Sequence, residues 1–302
     1  MIKIRHLVII ASILAIIGLV GSLLTFRVSY PNEEVVQEMT IDSTFNEIEI
    51  NTENVRVEIL PTNDDNASVV LTGNIKKESA YNFSTEVKNQ TLVIQADVLR
   101  KKIFQFFPKY LILELYVPTI MYDSLQIDNK NGRINLDGFQ ASNIHLETDN
   151  GTIRFNKVTT SSLIAKTSNG KIEGDHVETK TFEASTDNGT ITANDLIADA
   201  IDVSTDNGKI IFNDVVGDIR GKTSNGSISM ELEDLDRSVD LSTNNGRIEI
   251  KTTEKPTNAT ITSSTNNGKI EVYGNSSPHT VIGDGKHQIQ LSTDNGSIKI
   301  YQ

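Results

Sequence analysis

The side chains best placed to do chemistry here are a repeated row of carboxylates and amides, five histidines, and one short basic, aromatic segment. The row lies two residues before each of nine Asn-Gly pairs. It reads Lys130, Asp149, Ser168, Asp187, Asp206, Ser224, Asn244, Asn266 and Asp294. If the pairs stack on one another, Asp187 and Asp206 become neighbours at about 4.8 Å. Carboxylates that close either raise one pKa or recruit a cation, and calcium takes about six to eight oxygens. Asp and Asn are also favoured turn residues. The row one after the glycine carries Arg133, Lys171, Lys209, Arg247 and Lys269, which dilute the charge. Turn chemistry is the simpler reading, so no metal site and no cofactor are expected.

His6, His145, His176, His279 and His287 show no metal-ligand spacing, and none sits beside a nucleophile with an acid partner. His279 and His287 fall in one long insertion, Gly274 to Gln288, where they read as loop decoration. There is no phosphate-binding loop, nucleophile elbow or zinc-protease helix motif. No catalytic residue is therefore assigned, and the chain reads as a non-enzyme. Arg100, Lys101, Lys102, Phe104, Phe106, Phe107, Lys109 and Tyr110 reverse the local character of an acidic chain: four basic and four aromatic side chains in eleven positions. Such a segment suits a membrane surface or a partner protein. The alternative is a buried strand ending in a basic turn.

The elements that must position these residues repeat. The glycines of the Asn-Gly pairs are Gly132, Gly151, Gly170, Gly189, Gly208, Gly226, Gly246, Gly268 and Gly296, with four gaps of 19 and then 18, 20, 22 and 28. In four successive units the motif reads Asn150, Gly151 and Ile153; Asn169, Gly170 and Ile172; Asn188, Gly189 and Ile191; Asn207, Gly208 and Ile210. Isoleucine stands two after the glycine in all nine units, and an apolar residue stands seven before it, from Leu125 to Ile289. Threonine stands three before it in eight of the nine. Alternation of period two on both sides of the pair marks half-buried strands. Asn-Gly between such runs is also a hairpin signal. Four identical gaps favour stacked coils, because free hairpin loops vary in length. The expected fold is all-β: a β-solenoid of about nine coils over 119–302, with its isoleucines and asparagines in ladders. Glycine would supply a backbone conformation at the corner that other residues avoid. Residues 40–118 read as a divergent β capping lobe, in which Ile48–Ile59 keeps the repeat frame with Val55 in the glycine place.

Leu7 to Phe26 is a stretch of 20 uncharged residues, about the length of a membrane-spanning helix. Lys3 and Arg5 precede it, which puts residues 1–6 in the cytoplasm and everything after a 27–39 linker outside the cell membrane. A cleaved signal peptide is the alternative, but no Ala-x-Ala site follows. The chain has no cysteine, which excludes disulfides, thiolate metal sites and a lipoprotein anchor. Leaving out the three basic residues of 1–30 takes the net charge from −12 to −15, which argues against nucleic acid as a partner. The Ser297–Tyr301 strand reads as an open edge at the end of the stack, able to self-associate unless the Gly274–Gln288 insertion covers it.

The frame apolar-x-apolar-x-Thr-[Asp/Ser/Asn]-Asn-Gly-x-Ile, repeated behind an N-terminal apolar segment, resembles the bacterial putative-adhesin family of β-strand-repeat domains over about residues 40–302. The resemblance implies a cell-envelope protein that is adhesive, binding or scaffolding. It also implies one alternative, an accessory of a cell-envelope stress system, while the solenoid fold leaves a second, a polysaccharide-binding or polysaccharide-cleaving protein. The partners it points to are the membrane and an envelope protein or polysaccharide. It supplies no catalytic residues.

Overall fold

The computed structural model describes residues 12–22, 32–76, 81–98 and 110–302. Each Asn-Gly unit forms one rung: a strand, the Asn-Gly corner, and a second strand that runs on another face. Successive rungs pair in parallel at the 19-residue offset. Ile144 faces Leu163, Leu163 faces Phe182, and Phe182 faces Ile201 before the corner. Ile153, Ile172, Ile191 and Ile210 line up after it. Hairpins would have made sequential neighbours antiparallel, so the solenoid expectation holds. Within each strand inward and outward positions alternate: in Thr181–Asn188, Phe182, Ala184 and Thr186 are buried while Thr181 and Glu183 are exposed.

The core is aliphatic ladders with compensating bulges. Phe155 leans across the next rung, where Gly174 leaves space; a Cβ there would lie 2.3 Å from its ring. Its ring meets Phe182 edge-on at 5.9 Å. Near the start of the stack Tyr122 is buried between Phe45 and Phe139, with ring centroids 5.9 and 5.2 Å away. Burial raises its hydroxyl pKa to about 12.

The expected frame at Ile48–Ile59 is real: Ile48 pairs with Leu125, Thr52 with Asn129, and Val57 with Ile134. A further rung lies outside it, made of Thr91–Val98 and Tyr110–Pro118, with Leu92 on Ile48 and Leu113 on Val57. The capping lobe thus contributes two full rungs to the stack as well as cover for it. Tyr81–Lys88 closes one face of this end antiparallel to Thr91–Val98. Ala67–Lys76 and then Asn32–Ile41 close the other, also antiparallel. The Asn32–Ile41 strand begins inside the stretch expected as a 27–39 linker, a correction due to its full pairing with Lys76–Ala67. The only helix among the described residues covers 12–22. No helix among the described residues is long and apolar enough to cross a membrane; residues 7–11 and 23–26 of the expected 7–26 span lie outside them.

At the far end the order of rungs departs from the order of sequence. His287–Asn295 pairs with Val239–Asn245 on one side and with Ala259–Asn267 on the other. Ile298–Tyr301 likewise lies between Ile248–Thr252 and Ile270–Val272. The last rung in sequence is therefore the penultimate rung in space. This corrects the expected open edge at Ser297–Tyr301. The inserted rung brings Ile289, Leu291, Ile298 and Ile300, all buried, whereas the end rung has Ser263 in the Leu291 column and a half-exposed Ile270. An inner rung is covered on both sides, so the more aliphatic one gains more there. Residues His279–Ile282 of the long insertion then cover part of the end, antiparallel to Ala259–Thr262.

Candidate functional site

The Asn-Gly corner is the most regular feature of the surface. Asn54, Asn131, Asn150, Asn169, Asn188, Asn207, Asn225, Asn245, Asn295 and Asn267 form one continuous ladder, each Nδ2 donating to the Oδ1 of the rung before at 2.9–3.2 Å. One step inside runs a threonine ladder, whose hydroxyls donate to the preceding glycine carbonyl: Thr186 to Gly170 at 3.2 Å, Thr205 to Gly189 at 3.3 Å. Asn129 fills the threonine place in the first Asn-Gly rung, and its Nδ2 donates instead to the Val55 carbonyl at 2.7 Å.

The glycines serve close approach, which corrects the expected role. Gly132 aside (φ 156°), none of the nine has a positive φ. A Cβ on any of the other eight would meet the glycine carbonyl oxygen of the adjoining rung at 1.6–1.8 Å. Left-handed backbone occurs instead at a second corner, six residues after the glycine, at Gly138, Lys157, His176, Asp195 and Asp214 (φ 46–62°). The preceding column, Asp137, Asn156, Asp175, Asn194 and Asn213, carries its own bonds: Asn156 to Asp137 at 2.6 Å and Asn213 to Asn194 at 2.8 Å. An Asp or Asn at one fixed offset in five successive units was the legible signal for this corner.

The carboxylate row falls where its spacing implied. Thr186 pairs with Thr205 and Asn188 with Asn207, so Asp187 and Asp206 occupy adjacent rungs. Stacking also assembles groups that linear spacing hides, contrary to the expectation for the histidines. His176 places Nδ1 2.9 Å from Asp175 and Nε2 3.6 Å from Asp195. His145 lies 3.3 Å from Glu147, with Asp128 on the neighbouring rung within ligating reach. Such trios can hold a cation weakly, but three ligand atoms fall short of a calcium shell of about six to eight oxygens. His279 contacts Thr262 at 3.4 Å. Arg100, Lys101, Lys102, Phe104, Phe106, Phe107 and Lys109 lie outside the described residues, and Tyr110 opens the Tyr110–Pro118 strand. In sequence the segment falls between the strand that pairs with Glu47–Glu53 and the strand that pairs with Val55–Thr62.

Two open grooves run along the outer faces. One, of about 620 Å³, presents Arg56, Asn135, Asp137, Arg154, Asn156 and Glu173. Its groups are tied to one another: Arg154 pairs with Glu173, Arg56 with Glu58, and Asn135 donates to Glu58 at 3.3 Å. The other, of about 540 Å³, carries Glu183, Asp202, Arg220 and Asp240. Lys166 meets Glu183 there at 3.0 Å. Both are shallow arrays of donors and acceptors repeated at the rung spacing.

Among solved structures the chain is similar to a putative adhesin from Bacteroides fragilis, at 13% identity and a TM-score of 0.41, covering 89% of this chain and 97% of that one. A putative adhesin from Parabacteroides distasonis matches at 10% identity and a TM-score of 0.37, covering 88% and 97%. A putative cell adhesion protein from Clostridium sporogenes matches at 11% identity and a TM-score of 0.23, covering 90% and 100%. No curated protein matches the chain. Residues 45–301, from the edge of the first capped rungs to the inserted C-terminal strand, match the Toastrack DUF4097 family, and the chain belongs to that family.

Proposed function

We propose that this protein is a membrane-anchored, extracytoplasmic module of the bacterial envelope that binds or scaffolds through its repeated outer faces, without enzymatic activity. The observation that carries the reading is the pair of grooves to which successive rungs each bring charged or amide side chains at the rung spacing. A repeating array suits a repeating or extended ligand, whereas catalysis calls for one local departure with a nucleophile, a base and an orienting group. The apolar 7–26 stretch supports an anchor, because the Asn32–Ile41 strand that follows it joins the capped end of the stack and not the middle. The basic, aromatic segment lies in sequence between Thr91–Val98 and Tyr110–Pro118, the two strands of the outermost rung at that same end, so it is the contact proposed for anionic lipid or an envelope partner. Each lysine near an anionic surface contributes up to about 1 kcal/mol.

Protease treatment of intact protoplasts, followed by detection of the C-terminus, tests the placement. Loss of the C-terminal signal is expected, and full protection would overturn it. Sedimentation of the purified protein with anionic vesicles at low salt tests the contact. Salt-sensitive binding that disappears in a Lys101→Ala, Lys102→Ala, Phe106→Ser, Phe107→Ser variant is expected. Equal binding by the variant would remove the segment from the proposal.

A further inference from the structure

Asn-Gly is the dipeptide most open to spontaneous deamidation, because glycine leaves the following amide nitrogen unhindered. That nitrogen attacks the asparagine Cγ, the new N–Cγ bond expels Nδ2 as ammonia, and a cyclic imide results. Water then opens either carbonyl of the ring to give aspartate or isoaspartate. The reaction needs the asparagine side chain to swing over the glycine nitrogen, and it needs that N–H free of a strong acceptor.

Interior rungs oppose both requirements. The Gly170 N–H donates to the Asn188 carbonyl at 3.2 Å. The Asn169 side chain is held twice, donating to Asn150 at 3.0 Å and accepting from Asn188 at 2.9 Å. Rotating Asn169 onto Gly170 therefore breaks two ladder bonds. The same lattice continues to the last pair in the stack, where the Gly296 N–H donates to the Asn267 carbonyl at 3.0 Å. Beyond Asn267 no rung follows. Its side chain donates to Asn295 at 2.9 Å, but among the described residues no further asparagine reaches its Oδ1 and no further rung offers a carbonyl to the Gly268 N–H. The covering strand His279–Ile282 pairs only with Ala259–Thr262 and stops short of this corner. Gly268 is also exposed, whereas the glycines of the other eight pairs are half-buried.

We propose that Asn267-Gly268 is a deamidation site, and that the stack protects the other eight Asn-Gly pairs. The product changes the end rung. A carboxylate at position 267 cannot donate to Asn295 and sets negative charge against its Oδ1. An isoaspartyl link also adds a backbone atom beside the bond from Thr265 to the Gly296 carbonyl (3.0 Å). The end rung that covers the inserted C-terminal strand is loosened by this slow, irreversible event.

The test is peptide mapping of the purified full-length protein, aged in mildly alkaline buffer and sampled over time, with aspartate and isoaspartate distinguished by mass spectrometry. Conversion at Asn267 should exceed that at Asn169 by at least about tenfold, which needs only about 1.4 kcal/mol of extra opening free energy in the interior. In urea, where the ladder is gone, the two rates should converge. An Asn267→Gln variant should lose the fast phase, because glutamine would have to close a larger ring. Equal native rates at Asn267 and Asn169 would overturn the proposal. So would a lead that persists undiminished in urea, or a fast acidic species that survives in the Asn267→Gln variant.

Discussion

Replacing Gly189 by alanine tests why the corner needs glycine. An alanine Cβ would sit 1.6 Å from the Gly170 carbonyl oxygen, while ordinary contact begins near 3.4 Å, so the two rungs must part locally by about 1.8 Å. That separation breaks three bonds between them: Thr186 to the Gly170 carbonyl, Asn188 to Asn169, and the Gly170 N–H to the Asn188 carbonyl. At about 1 kcal/mol each these come to about 3 kcal/mol. Forced backbone displacement in a packed interior adds about 1–3 kcal/mol. Lower entropy of the unfolded alanine chain returns up to about 1 kcal/mol. The expected loss is about 3–6 kcal/mol. Gly274 is the control: its φ is +83° and nothing lies within 4 Å of a built Cβ. There alanine should cost about 1–2 kcal/mol, and asparagine, which tolerates the left-handed region, should recover most of it. At Gly189 asparagine should be no better than alanine. Urea unfolding of the purified protein, with hydrogen exchange on the adjoining rungs to catch partial unravelling, measures both. A Gly189→Ala loss below about 0.5 kcal/mol, or rescue by asparagine, would refute the close-approach argument.

Ile191 is fully buried in the ladder, so Ile191→Asp should cost about 3–5 kcal/mol and lower the melting temperature sharply; near-wild-type melting would count against a continuous core. Ile298→Pro should release the end of the stack, because the Ile298 N–H donates to the Lys269 carbonyl at 2.9 Å and proline cannot; loss of exchange protection in Ile270–Val272 is the readout, and unchanged protection would contradict the inserted order. Gly174→Leu should destabilise by about 1–3 kcal/mol by colliding with Phe155, while a paired Phe155→Ala should recover part of that in a double-mutant cycle. Burial works against ionisation of Asp236, but the Thr257 and Asn258 backbone N–H groups and the Thr257 hydroxyl outweigh it and hold its carboxyl below its ordinary pKa. A depressed folded-state pKa means that its contribution is complete at neutral pH and is lost as the pH falls through the carboxylate range. Protection of the Thr257 and Asn258 amides, measured as exchange relative to the intrinsic rate at each pH, should therefore fall in acid, and an Asp236→Asn variant should lose that pH dependence.

Residues fixed by the repeat itself were legible in the chain. Period, inward isoleucines, outward asparagines and the frame around Val55 follow from alternation and a constant offset, because parallel stacking repeats one local solution. The chemistry hidden in the linear spacing was not. His176 meets Asp195, and Asp128 joins Glu147 and its neighbour His145, only because a rung places residues 19 apart side by side. The true reason for the glycines was also out of reach, since a clash with a carbonyl belongs to two rungs and not to one turn.

The sequence by itself therefore determined the unit, its faces and its register. Only the tertiary structure decided the order of the units at the C-terminal end. Every rung offers the same frame, so Val239 could accept Ile261 as well as Ile289, and local pattern cannot rank the two. The choice rests on which rung gains more from being covered on both sides, and on connections long enough to permit it. Residues 253–258 can climb two rung spacings of about 4.8 Å at roughly 3.3 Å per residue. Asp236 ties down the end of that climb, and His279–Ile282 folds back over the rung left outside.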